Sequence, residues 1–148
     1  MSSMSIERRK HRIERRRLLA GEWKPNSSAA AENALFDRCF ELAEAARDLE
    51  QVANAPGTTA AMAASLGCAT SAFESLANSM LMLRGVVLHE LPDEEAAAGE
   101  RSQADQLGRL LFAIDQNLRF AAHAADLGRR SVEEAGLDRQ ERAIGASL

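Results

Sequence analysis

An unbroken apolar repeat over residues 58–89 constrains this chain more than any other feature of it. Apolar residues recur there at alternating four- and three-residue intervals, at Met62, Leu66, Ala69, Phe73, Leu76, Met80, Leu83 and Val87. This spacing places all of them on one side of an α-helix, as a seam that packs along another helix. The repeat predicts a long central helix over 58–89. We expect small residues on its flank to let a second helix approach closely: Ala64, Gly67, Cys68, Ser71, Ser75 and Ser79.

Two further segments carry the same spacing. The first predicts a helix over 28–54, with its seam at Leu35, Cys39, Leu42, Ala46, Leu49 and Ala53. The second predicts a helix over 101–128 that ends at Gly128, with its seam at Leu107, Leu111, Ile114, Leu118, Ala121 and Ala125. We expect its outer face to carry three ion pairs at four-residue spacing, Asp105 with Arg109, Asp115 with Arg119, and Asp126 with Arg130.

These patterns predict an all-α fold, an antiparallel bundle of three long helices with space for a short fourth. The bundle would occupy residues 25–130, between a basic N-terminal arm (1–24) and a polar C-terminal tail (131–148). Aromatic residues make up only 4% of the chain and Tyr is absent, which disfavours strands. Three such helices leave a wide apolar front, so we expect self-association, most simply as a homodimer.

Residue counts limit the chemistry that the chain can carry. The two cysteines, Cys39 and Cys68, and the three histidines form no metal-ligand spacing, so we expect no metal and no cofactor. Both cysteines fall at positions that favour burial as small apolar side chains. His123, near Asp126, is interpreted as lying at the edge of the packed face. No segment predicts a membrane span or a secretory signal, and we expect a cytoplasmic protein.

The charge of the chain is unevenly distributed. The net charge of −4 hides a first segment, residues 1–24, that carries eight basic and three acidic side chains. Seven of the ten residues from 8 to 17 are basic, and they form the predicted polyanion-binding site: Arg8, Arg9, Lys10, Arg12, Arg15, Arg16 and Arg17. Arginine and lysine bind nucleic-acid phosphates by displacing condensed counterions. The alternatives are an acidic protein or membrane surface, a solvated tail, and an arm that lies across the acidic remainder of its own chain.

One short motif points to catalysis. The segment Arg84-Gly-Val-Val-Leu-His89 resembles the arginine–histidine signature of HEPN-domain ribonucleases, which are small helical bundles that dimerise. The resemblance implies metal-independent RNA cleavage, with His89 transferring a proton and Arg84 stabilising phosphate charge at a site built from two subunits. Five residues of continuous helix separate the two side chains by about 140°, so they would act together only across a dimer or through a bend at Gly85.

Two functional hypotheses therefore stand. The first is a non-catalytic, self-associating interaction or regulatory protein whose arginine-rich arm engages nucleic-acid phosphates or an acidic partner. The alternative is a HEPN-like ribonuclease that uses Arg84 and His89. A bundle with no role for its arm would be purely structural.

Overall fold

The structure, a computed structural model, describes residues 3–24, 30–53, 57–89 and 98–147. These residues form four helices, α1 (Ser3–Ala20), α2 (Ala30–Val52), α3 (Thr59–His89) and α4 (Ala98–Ala146), and contain no strand. The predicted all-α fold is confirmed. None of the described helices is both long and apolar enough to cross a membrane.

Helix α3 agrees with the predicted range 58–89 to within one residue. The ends predicted for α2, residues 28 and 54, lie outside the described residues. The bounds predicted for α4 are wrong. The helix predicted over 101–128 continues through Gly128 to Ala146, so most of the segment predicted as a polar tail is helical. Glycine weakens a helix interior by about 1 kcal/mol relative to alanine, but packing compensates for that cost here. A Cβ built on Gly128 would lie 3.5 Å from Leu66 Cδ1, and one built on Gly136 would lie 3.6 Å from Thr59 Cγ2. The beginning of α3 therefore packs on the part of α4 that follows the expected end.

The chain divides into two compact units, residues 1–56 and 57–148. The first contains α1 and α2, which run antiparallel and are bridged by long side chains. Its core is small: Phe40 is 2% exposed, and the Trp23 and Phe36 rings lie beside it, tilted at 38° to each other with centroids 4.7 Å apart. The predicted seam of α2 is not the surface that meets α1, because Leu35, Leu42 and Leu49 remain exposed.

The second unit is an antiparallel pair of long helices that approach closely through small residues. Ala63 and Ala77 of α3 and Ala122 of α4 are buried, and Ala77 is completely inaccessible. Gly108 is also buried, and a Cβ built on it would lie only 3.4 Å from Leu88 Cδ2. Leu111 is the one large apolar side chain of this unit that is buried among the described residues.

The α3–α4 contact is rotated relative to the predicted seams. The contact residues of α3 are all buried or half-buried, and they lie at positions 59, 63, 66, 70, 73, 77, 80, 84 and 87. The corresponding residues of α4 lie at positions 104, 108, 111, 115, 118, 122, 125, 129, 132 and 136. Both series keep the alternating spacing of four and three. Only alternate members of each predicted seam lie in the contact. The others lie beside it, and Met62, Leu107 and Ile114 among them are exposed. The predicted small flank is wrong as well, since Gly67 alone among its six members is less than fully exposed.

Close helix approach yields a stability prediction. Ala77→Leu adds three carbons where there is no space, so it should lower the free energy of unfolding by about 1–3 kcal/mol. Ala64→Leu makes the same change at an exposed position of α3 and should be nearly neutral. Thermal and urea unfolding of the two variants, followed by circular dichroism, measures the difference. Equal effects would mean that α3 and α4 do not approach through Ala77.

Candidate anion-binding surface

The basic block lies on α1, which ends at a glycine. Gly21 has a positive φ of 56°, a conformation that favours glycine, and its N–H donates to Leu18 O at 3.3 Å. This turn brings Trp23 onto Phe36 at the beginning of α2. Of the ionisable residues of α1 seven are basic and two acidic, whereas α2 has two basic and six acidic. The two antiparallel helices therefore carry opposite net charge.

Three of the seven predicted polyanion ligands face α2. Arg15 Nε lies 3.2 Å from Glu44 Oε1, and Arg16 pairs with Asp37. The Arg16 guanidinium also lies over the rings of Phe36 and Phe40, at 5.2 and 5.3 Å from their centroids. Arg12 lies 5.6 Å from the Phe40 ring centroid. Each cation–π contact of this kind contributes about 0.5–1 kcal/mol at an exposed site.

Arg8 lies at the edge of this contact. It lines a cleft between α1 and α2 with His11 and Arg12 on one side and Glu44, Arg47 and Asp48 on the other. The cleft holds both signs of charge, so it is a poor site for an anion. Arg8 is therefore intermediate between the cations held by α2 and those directed to solvent.

The remaining three cations are Arg9, Lys10 and Arg17, and they are exposed. They form no ion pair with any residue that the structure describes. At 100° per residue, they lie about 60°, 160° and 140° around the α1 axis from Arg12, which faces α2. The exposed Ile6 and Ile13 lie between them. We call this side of α1 the outer basic surface.

The sequence pattern alone overstated the number of available cations, because it did not identify their acidic partners. Asp37, Glu41, Glu44 and Asp48 recur on α2 at the four- and three-residue spacing of one helix face. That spacing was the available signal that α1 would be paired within the chain. The arm lying across acidic residues of its own chain was among the alternatives, and Arg15 and Arg16 show that it applies to one side of α1.

A second polar cluster lies between α3 and α4. Asp115, predicted on the outer face, is instead 1% exposed. Arg119 Nε lies 2.9 Å from Asp115 Oδ1, Gln116 Nε2 donates to Asp115 Oδ2 at 3.0 Å, and Arg119 Nη2 donates to Asn78 Oδ1 of α3 at 3.1 Å. The pair was correctly identified by its spacing, but it lies at the helix contact and joins α4 to α3.

A third group of charges stabilises the later part of α4. Arg129 donates to Asp126 Oδ1 at 2.8 Å and to Glu133 at 2.9 Å, and Arg130 pairs with Asp126 Oδ2 at 2.9 Å. The hydrogen bond from Arg129 is the main reason that the pKa of Asp126 is lowered from its ordinary value of 3.8. His123 is exposed, consistent with its predicted place at an edge, and lines a shallow depression with Glu74 and Asp126.

Arg84 and His89 are not brought together within one chain. Helix α3 is continuous through Gly85, so the two side chains keep the angular separation expected of a regular helix. The Arg84 guanidinium lies over the Phe112 ring of α4, 5.2 Å from its centroid, whereas His89 is the exposed last residue of α3. A site using both would have to be completed by a second chain.

The structure also places the residues that could bind a metal or react as thiols. No group of three or more His, Cys, Asp or Glu side chains there is placed to hold a metal ion. Cys39 and Cys68 are free thiols, and both are exposed. Their predicted burial is wrong, because each lies on a helix side that turns away from the helix it packs against.

The charge of Asp126 should make the stability of the folded chain depend on pH. The folded-state pKa is lowered, so the stabilising contribution is present above the ordinary value and is lost as pH falls through the folded value. Asp126→Asn should therefore reduce the thermal midpoint at neutral pH, and the difference from the native chain should close as the pH falls below 3.8. Asp138→Asn, at an exposed position of α4, is the control. A constant difference between the native chain and Asp126→Asn at all pH values would contradict the assignment.

The buried carboxylate gives a separate prediction. Arg119→Met leaves Asp115 without its cation and should lower the free energy of unfolding by about 2 kcal/mol. The double variant Asp115→Ala, Arg119→Met should recover part of this loss, because it removes the unpaired charge. Arg109→Met is the matched control at an exposed position of the same helix. Asp115→Ala alone completes the double-mutant cycle. Chemical denaturation of the native chain and the four variants measures these differences, and additive effects of the changes at 115 and 119 would exclude the coupling.

Comparisons with known proteins find no counterpart for this chain. No protein-family model, curated protein or solved structure matches it. The outer basic surface of α1 is a cluster of exposed cations that form no ion pair with the described part of the chain.

Proposed function

We propose that this chain is a non-catalytic, self-associating interaction protein whose outer basic surface binds nucleic-acid phosphates. The observation that carries the proposal is the exposure of Arg9, Lys10 and Arg17 without an ion pair to any described residue, on a helix whose other arginines include two that pair with α2 carboxylates. An unstructured arm would lose conformational entropy on binding. Here the cations are already arranged on a helix, which reduces that cost.

The surface has the chemistry needed to bind a phosphate backbone. Two of its three cations are arginines, whose planar guanidinium binds phosphate oxygens through two parallel hydrogen bonds. Its exposed apolar residues are two isoleucines, so it offers no aromatic ring for base stacking, and Trp23 packs against Phe36. The surface would therefore bind the backbone with weak sequence preference.

The acidic helix α2 sets how many phosphates the chain binds. Asp37 and Glu44 compete with phosphates for Arg16 and Arg15. Ion pairs of this exposure contribute about 0.2–1 kcal/mol each, so α2 holds these arginines only weakly. Binding would begin at the outer basic surface, and removal of the acidic partners would recruit further cations.

A salt titration of binding to a generic duplex DNA tests the proposal. Three phosphate contacts predict that log K falls by about 3 for each tenfold increase in salt. Arg9→Ala, Lys10→Ala, Arg17→Ala combined should abolish measurable binding at physiological salt. Asp37→Asn with Glu44→Gln should steepen the slope to about −5 by freeing two arginines. Fluorescence anisotropy with a labelled duplex measures all three.

The matched control removes the same charge elsewhere. Arg109→Ala, Arg139→Ala, Arg142→Ala combined takes three exposed cations from α4 and should leave the affinity and the slope unchanged. Equal loss in both triple variants would show that net charge, rather than the outer basic surface, controls binding. Binding of an acidic peptide instead of the duplex would show that the outer basic surface recognises a protein partner.

A further inference from the structure

The α3–α4 pair has one charged side and one side without charge. In an antiparallel pair, the residues that immediately precede the contact residues in sequence lie on the same side of the pair in both helices. On α3 these positions are 62, 69, 76 and 83 together with 65, 72, 79 and 86, and none of these residues is charged. The corresponding positions of α4, from 107 to 135 and from 103 to 131, are uncharged as well. The charged residues Glu74, Asp105, Arg119 and Asp126 lie on the opposite side. We call the side without charge the uncharged face.

The uncharged face carries large apolar side chains that the α3–α4 contact does not cover. Met62, Leu107, Leu110 and Ile114 are all more than 40% exposed, and Leu76 and Leu83 are half-buried. The contact itself buries mainly alanine and glycine, which provide little apolar area. Because hydrophobic stabilisation scales with that area, the pair needs a further apolar contact to form a substantial core.

The dimensions of the face suit a second helix pair. It extends about 32 Å along α3 from Met62 to Leu83, at 1.5 Å per residue, and is about 20 Å wide across two helices. A projected area of about 600 Å² per copy approaches the roughly 800 Å² that each partner buries in a stable complex. The face is therefore large enough to hold two copies together.

The absence of charge selects the occupant. A partner with ionised groups opposite this face would have to bury them without counter-charges, which is costly. The face itself is free of charge over residues 62–86 of α3 and 103–135 of α4, and its apolar residues recur every seven positions. A two-fold axis would place two such faces against each other in register along their whole length.

From this arrangement we infer that the uncharged face is the interface between two copies of the chain. The two α3–α4 pairs form a four-helix bundle in which every helix is antiparallel to its neighbours. The inference rests on the self-association proposed above and adds the surface responsible for it. It does not depend on phosphate binding by α1.

Light scattering of the full-length chain after size exclusion tests the interface. The native protein should have the mass of two chains, twice 16.0 kDa. Ala124→Arg places a long cation on the uncharged face at an exposed position and should reduce the mass to that of one chain. Ala113→Arg makes the same change on the outer side of α4 and should leave two chains. Circular dichroism verifies that both variants stay helical.

A second matched pair decides the matter if Ala124→Arg does not fold. Ser79→Arg lies on the uncharged face of α3 and Ser75→Arg lies on its outer side, both at exposed positions. Only the first should separate the copies. A native mass of one chain would overturn self-association and the interface together. A native mass of two chains that both Ala124→Arg and Ser79→Arg retain would overturn this interface alone.

Discussion

The close approach of α3 and α4 through alanine and glycine is the contact on which the second unit depends. Small side chains at Ala63, Ala77 and Ala122 bring the two backbones together, so dispersion contacts form along most of both helices. The same small residues leave the larger apolar side chains outside the contact. The same packing through small residues therefore produces both the α3–α4 contact and an apolar side that the contact leaves exposed.

Electrostatic pairing plays the corresponding part in the first unit. The cations of α1 repel one another, and α2 supplies carboxylates and aromatic rings at matching positions. Arg16 combines both, since it pairs with Asp37 and lies over two phenylalanine rings. The pairing divides α1 into a side held by its own chain and a side directed outward. That division makes the outer basic surface a defined candidate site instead of a uniformly charged tail.

The contact between α3 and α4 contains polar residues as well as apolar ones. Asp115 and Arg84 occupy positions of the α3–α4 contact where a large apolar residue would be expected. Asp115 is joined through Arg119 to Asn78 of the opposite helix, which requires one relative placement of the two helices. Polar residues at such positions fix register in helical pairs, at a cost in stability. The register of α3 and α4 is consistent with this role.

The amino-acid sequence alone is enough to predict the helical class, the bounds of α3 within one residue, and the location of the cations. Periodicity and turn residues are local, so one chain is sufficient to show them. Tertiary structure decided which side of each helix is covered. The predicted seams of α3 and α4 combine two neighbouring lines of residues, and spacing cannot separate a line that meets the adjacent helix from one that remains open. It also decided which arginines are available, because a cation is neutralised by whichever carboxylate folding brings near it.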